Sequence, residues 1–346
     1  MTRISGHRRS ARRLSANGGI IGYADAMPVK LRRVLTCPPA LRPAALRALH
    51  DRLPAEQQAG LAQVLHGLGV QNEAAWDGLL IAANGDAGLN GSLTSASELD
   101  GVAWVQQLPG DTACLWIPPD QGEAGIDLLR GAAAFVDERQ IPLAQLVVSA
   151  EDGYSAESCQ AAGFPKFAKL VYLYVELAPD ARRRELSSLP ASPPILRFVA
   201  NAGREPTRLQ RVVEQTYVGT MDCPGLDGIR PLDQVLEGYR SQGRYWPEHW
   251  YLVQAEGQDV GALILAEHPG LGNWELIYMG LAAPVRGHGW GESVVRFAID
   301  VATRQGAERL VCAVDAANYP ALNVYRRLGF IEWAERIVYG RLRAQA

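Results

Sequence analysis

The sequence predicts an α/β protein with a mixed β-sheet, built as two tandem copies of one unit. Three observations carry this. Helical and strand-like runs alternate from Leu31 to Leu177 and again from Ile195 to the end. A stretch rich in proline, serine and charge, "APDARRRELSSLPASPP" ending at Pro194, separates the two runs as a linker would. The order of elements in the second run can also be laid over the first. A chain of 346 residues, 48% of them hydrophobic, is long enough for two ordinary cores. The expected organisation is a basic tail over 1–28, a first copy over 29–178, a linker over 179–194 and a second copy over 195–346.

In the second copy, "EPTRLQRVVEQTYVGT" and "LDQVLEGYR" carry apolar residues at helical spacing. "WYLVQAEGQDVGALILAEH" is two apolar strands around a glycine-containing turn, and "WELIYMGLAA" is a third strand. "ESVVRFAIDVATRQG" is an amphipathic helix closed by Gly306. A strand "RLVCAVDA", a short helix "YPALNVYRRLG" and a last strand "WAERIVYGRLR" complete the unit. The first copy repeats it. "GLLIAANG" and "GVAWVQQL" stand for the hairpin, and "ACLWIPPDQGEAGIDLLRGAAAFVDERQ" for the strand, loop and helix. "LAQLVVSA", "ESCQAAGF" and "LVYLYVEL" stand for the remaining strand, helix and strand.

Bulk properties exclude several function classes. A net charge of −3 offers no global attraction for nucleic acid or an acidic membrane. Five scattered cysteines, never spaced as CxxC, argue against a disulfide framework or a zinc site and favour a reducing cytoplasm. No apolar stretch reaches the ~18 residues of a membrane helix. The arginine-rich start has no apolar segment behind it, so a secretory signal is not expected.

The chemistry concentrates in "MGLAAPVRGHGWGESVV", 279–295. A strand, a glycine-rich turn and a helix start make an anion site, because the first helical N–H groups lack partners and the helix dipole favours negative charge. The glycines let the backbone approach a phosphate, and Arg286 adds charge and donors. The dinucleotide fingerprint fails because Glu292 stands at its last glycine, and no Gly-Lys-Ser/Thr follows as a P-loop requires.

The spacing that fits is Arg286-Gly287-His288-Gly289-Trp290-Gly291. It resembles the Q/R-x-x-G-x-G/A pyrophosphate loop of the GNAT acyltransferases. "NYPALNVYRRLGF", Asn318 to Phe330, resembles the second signature of that superfamily. The likeness covers Ile195 to about Arg343 well, and the first copy only in degraded form. It implies two tandem GNAT-like folds, acetyl-CoA or another acyl-CoA as co-substrate, no metal, and an amine acceptor that is a small molecule or a peptide. Met279 and Leu281 are then expected to offer backbone groups to the pantetheine arm and the thioester. Residues 286–291 hold the pyrophosphate, Asn318 lies beside the cofactor, and Tyr325 protonates the leaving thiolate. A free amine with pKa near ~10 is almost wholly protonated at neutral pH, so a base is needed, and Glu275 is placed to serve through a water. The acceptor is expected at "GTMDCPGLDGIRP", 219–231, where Asp222, Asp227 and Arg230 read it, with Tyr239 nearby.

In the first copy the cradle reads "PPDQGEAGID", where Asp120 and Glu123 put negative charge at the phosphate position, and Cys159 replaces Tyr325. That copy is expected to be structural or to shape the acceptor site. The alternatives to an enzyme are an acyl-CoA-binding sensor and a protein-interaction scaffold. Retention of both Glu275 and Tyr325 favours the enzyme.

Overall fold

The computed structural model describes residues 32–68, 73–84, 99–119, 122–177 and 196–343. The basic tail, the linker, Asp120 and Gln121 lie outside the described residues. The first half runs β1 (Arg32–Thr36), α1 (Arg42–Arg52), α2 (Ala55–Gly67), β2 (Leu79–Asn84), β3 (Leu99–Leu108) and β4 (Thr112–Trp116). It continues with α3 (Gly122–Glu138), β5 (Leu143–Val148), α4 (Ala156–Ala161) and β6 (Lys166–Glu176). The second half runs β7 (Arg197–Val199), α5 (Pro206–Tyr217), α6 (Leu232–Arg240), β8 (Trp250–Ala255), β9 (Gln258–His268) and β10 (Asn273–Leu281). It ends with α7 (Trp290–Arg304), β11 (Arg309–Asp315), α8 (Tyr319–Arg327) and β12 (Ile331–Leu342). The two series have the same order. The sequence patterns located all of these except the edge strands β1 and β7 and the first-half helices α1 and α2.

The twelve strands form one sheet in the order β1-β2-β3-β4-β5-β12-β6-β11-β10-β9-β8-β7. The last strand of each half is exchanged. β12 lies antiparallel beside β5, from Ile337 opposite Val148 to Leu342 opposite Leu143. β6 lies antiparallel beside β11, from Arg309 opposite Glu176 to Asp315 opposite Leu170. Unpaired edges in the middle of a sheet are costly, and this exchange fills both positions.

Helices cover both faces. In the second half, Leu310, Cys312 and Val314 of β11 pack beneath Val294, Val295 and Ala298 of α7 and Leu322 and Tyr325 of α8. On the opposite face, Leu252, Ala262 and Ile264 pack beneath Leu209, Val212 and Val213 of α5 and Leu236 of α6. Leu310 is fully buried; truncating such a leucine to alanine costs about 2–5 kcal/mol.

Two features open the sheet where the site lies. β10 and β11 are parallel neighbours only at Asn273–Glu275 opposite Arg309–Val311. Beyond Glu275 a bulge between Leu276 and Tyr278 bends β10 along β9, while β11 stays bonded to β6. A wedge opens between two strand edges that elsewhere would be bonded.

Candidate active site

The glycine loop stands at the mouth of this wedge. Gly287 and Gly289 have φ of +84° and +77°, and a Cβ on either would meet nothing within 4 Å. The left-handed backbone requires glycine, and the space above it is open. Gly289 caps α7, a helix of 15 residues, so its first N–H groups face that space. Trp290 begins the helix, His288 packs its ring 5.6 Å from that of Trp290, and Gly291 follows within the first turn. The cradle fits a phosphate: bare backbone, open approach and a helix N-terminus coincide.

Arg286 has a further job. Its Nε donates to the Leu281 carbonyl at 2.9 Å, Nη1 to Val218 and Gly219 at 2.9 and 2.8 Å, and Nη2 to Thr216 at 2.6 Å. Three of these bonds fasten the glycine loop to the end of α5 and the two residues beyond it, and the fourth to the end of β10.

The wedge is lined differently on its two faces. Met279 and Leu281 pack toward the core under α7 and α8. Tyr325, buried on the same side, turns its hydroxyl toward the Cys312 thiol, and burial pushes its pKa well above the ordinary phenol value. It keeps its proton at any working pH. Glu275 points to the other face: it pairs with Ala266, which alternates along β9 with Ile264 and Ala262 of the α5–α6 side. Its Oε2 lies 2.6 Å from Nε2 of His268, and this carboxylate raises the histidine's pKa against the lowering effect of burial.

On the Glu275 side three tyrosines gather. The Tyr217 and Tyr239 hydroxyls are 3.0 Å apart, and the Tyr239 ring stacks on Tyr278 at 5.5 Å. Tyr278 bonds Thr216 through its hydroxyl. A Cβ at Gly280 would come within 2.5 Å of that hydroxyl, so the strand must be bare there.

The loop 219–231, expected to read the acceptor, is tied to the end of β11. Asp222 is exposed as a residue, but its carboxyl end turns inward to accept the Asp315 N–H at 2.8 Å. Asp315 returns the bond, accepting from Cys223 N–H at 3.2 Å. Desolvation raises the Asp222 pKa, and the Asn318 side chain lies against the same carboxyl. Asn318 also caps α8, its Oδ1 accepting from Ala321 N–H at 3.3 Å. Asp227 is exposed on the loop. Arg230 and Tyr239, expected beside the acceptor, are committed to protein partners: Arg230 Nη1 donates to the Gly110 carbonyl at 2.6 Å.

Sequence reasoning missed His268, Asp315, Tyr278 and Tyr172. The aspartate ending "RLVCAVD" just before Asn318 was the one visible signal. Tyr172 comes from the first half on the exchanged β6. It pairs with Ala313, two residues from the Val311 that faces Glu275, and burial, with a smaller part from the Glu275 charge, raises its pKa.

The first half shows the same wedge in altered form. β4 and β5 are paired only at Thr112–Cys114 opposite Leu143–Gln145. Cys114 stands where Glu275 does, and Cys159 where Tyr325 does; Phe164 N–H returns to Cys159 as Phe330 N–H returns to Tyr325. The Tyr154 hydroxyl, after β5, donates to the Ile117 carbonyl beyond β4 at 2.6 Å and so bridges the opening. Among the described residues no three metal-ligating side chains gather, and no helix is long and apolar enough to cross a membrane.

Residues 220–330, which span the loop up to Pro231, the wedge, the cradle and α8, match the Acetyltransferase (GNAT) family. This match lies wholly within the C-terminal half of the chain. A mycothiol acetyltransferase of Paenarthrobacter aurescens is 30% identical over 112 residues, 31% of this chain and 35% of that protein. An N-alpha-acetyltransferase 30 of Schizosaccharomyces pombe is 28% identical over 98 residues, 28% of this chain and 65% of that one. The matched stretch spans about a third of the mycothiol acetyltransferase. Among solved structures, a GCN5-related N-acetyltransferase from Sphaerobacter thermophilus superposes with a TM-score of 0.57 at 16% identity, over 90% of this chain and 95% of that one. A tandem GNAT protein from the clavulanic acid biosynthesis pathway gives 0.50 at 13%, over 91% and 100%. The GNAT fold therefore extends over both halves.

Proposed function

We propose that the protein transfers an acetyl or other acyl group from acyl-CoA to an amine, with one active site in the C-terminal half. The observation that carries this reading is the wedge. The ladder between β10 and β11 stops at Glu275 and Val311, with the glycine cradle at its mouth. Glu275 lies on one face of the sheet and Tyr325 on the other.

In this reading the cradle holds the pyrophosphate, and the free edge of β10 at Met279 and Leu281 aligns the thioester. A backbone N–H there steadies the tetrahedral oxyanion. The amine enters from the Glu275 face and attacks the thioester carbon. Its proton passes through a water to Glu275, which His268 holds in place. The carbon–sulfur bond breaks toward the opposite face, where Tyr325 gives its proton to the thiolate. An amide and free CoA result. Holding amine and thioester in line supplies much of the rate. The names of the relatives put a mycothiol-type acceptor and a peptide N-terminal α-amine in the first pool to test.

A screen of amine pools for thiol release from acetyl-CoA tests the proposal. Release dependent on one amine, with the acylated amine found by mass spectrometry, supports it. Tight acetyl-CoA binding with no transfer to any pool favours the sensor instead.

A further inference from the structure

The loop assigned above to the acceptor, 219–231, is fastened at three places. Arg286 holds its start at Val218 and Gly219. Asp222 and Asp315 clasp its middle to the end of β11. The third fastening crosses from the first half. The turn between β3 and β4 sets the Gly110 carbonyl 2.6 Å from Arg230 Nη1, and the neighbouring Asp111 carboxylate receives the Gln234 side-chain amide.

This contact is close-packed. Gly110 has φ of +78°, and a Cβ there would lie 2.2 Å from the Gln234 carbonyl oxygen and 2.9 Å from the Gly238 nitrogen. Both are backbone atoms of α6, so no side-chain rotation relieves the clash. Arg230 is half-buried and spends its bond on a carbonyl; desolvation lowers its pKa. A cation withdrawn from water to hold a neutral group argues for a demand on position. From α6 the contact reaches the wedge: Tyr239 lies on this helix and stacks on Tyr278 of β10.

We propose that the Pro109–Asp111 turn of the N-terminal half positions the acceptor loop and α6, so that this half sets acceptor affinity without holding acyl-CoA. The proposal rests on the reading that 219–231 faces the acceptor. Gly110 and Arg230 are positioning residues in this scheme, acting through the loop.

The test is Gly110→Ala in the full chain, read by hydrogen exchange, calorimetry with acetyl-CoA, and steady-state kinetics with the amine found in the screen. Amides of 219–240 should exchange about tenfold faster while those of β3 and β4 keep their protection. Acceptor KM should rise about tenfold with kcat within about twofold, and acetyl-CoA affinity should hold. Should β3 and β4 lose protection too, Arg230→Met breaks the same contact from the other side. Arg230→Lys, which keeps one donor for the Gly110 carbonyl, should then restore part of the loop's protection. Wild-type exchange over 219–240 in a folded Gly110→Ala, or in Arg230→Met, overturns the proposal; so does a normal acceptor KM in either. Failure of the wild-type protein to acylate any amine would count against the function proposed above, while the exchange result still decides this contact.

Discussion

Replacing Glu275 by glutamine separates a base from a packing residue. Its carboxylate lies 2.6 Å from His268, and both side chains are 26% exposed. Two opposing effects act on the histidine: the carboxylate raises its pKa and burial lowers it, and the first is larger. Glutamine keeps the shape and removes the charge, so burial acts alone and His268 should titrate below its ordinary 6.5. The sign for stability follows. In the wild type the folded pKa lies above the unfolded one, so the pair adds stability fully present below pH 6.5 and lost as pH rises through the folded value. Each unit of elevation is worth about 1.4 kcal/mol. The advantage of wild type over variant should therefore shrink between mildly acid and mildly alkaline pH. For activity, an amine of pKa near ~10 is neutral in about one molecule per thousand at pH 7, and each pH unit restores tenfold. A positioned base contributes about 10²–10⁴. Glu275→Gln should lose at least about 10² in turnover at neutral pH, narrowing as pH climbs toward the amine's own pKa. Histidine NMR titration, urea denaturation across pH and pH–rate profiles measure the three effects. An equal loss of activity at every pH, or none, refutes the assignment and moves the search for the base to Asp222.

Other outcomes follow from the same geometry. Tyr325→Phe should retain acetyl-CoA affinity by calorimetry and lose about 10² in turnover, because the buried phenol keeps the proton it donates. Gly289→Glu should abolish acetyl-CoA binding: φ of +77° disfavours any side chain, and a carboxylate there opposes the phosphate. Titration of the wild type should give one site per chain. Tyr154→Phe should cost about 1–3 kcal/mol in urea denaturation by orphaning the Ile117 carbonyl. It should leave acetyl-CoA affinity unchanged; a second binding site appearing in that variant would show that the first half retains a cradle.

What the sequence determined by itself was local. Helical spacing located α5 to α8, and alternation with turn residues located β8 to β12, because periodicity and backbone freedom act within a few residues. The glycine loop was legible for the same reason: Gly287 and Gly289 take positive φ beside a helix start, a requirement written in the residues themselves. The repeat of element order was legible because each half spells it out. Tertiary structure alone decided the rest. Which strand lies beside β5 or β11 depends on which edges find partners, and the exchange of β6 and β12 leaves no mark on either strand's pattern. Partners of charged side chains are chosen across the fold. Arg286, legible as a phosphate donor, spends four N–H groups on carbonyls from Thr216 to Gly219 and Leu281. Arg230 crosses to Gly110, more than a hundred residues earlier in the chain. Glu275 was visible as a carboxylate on a strand, but only the register of β9 against β10 brings His268 to it, and only the exchanged strand brings Tyr172.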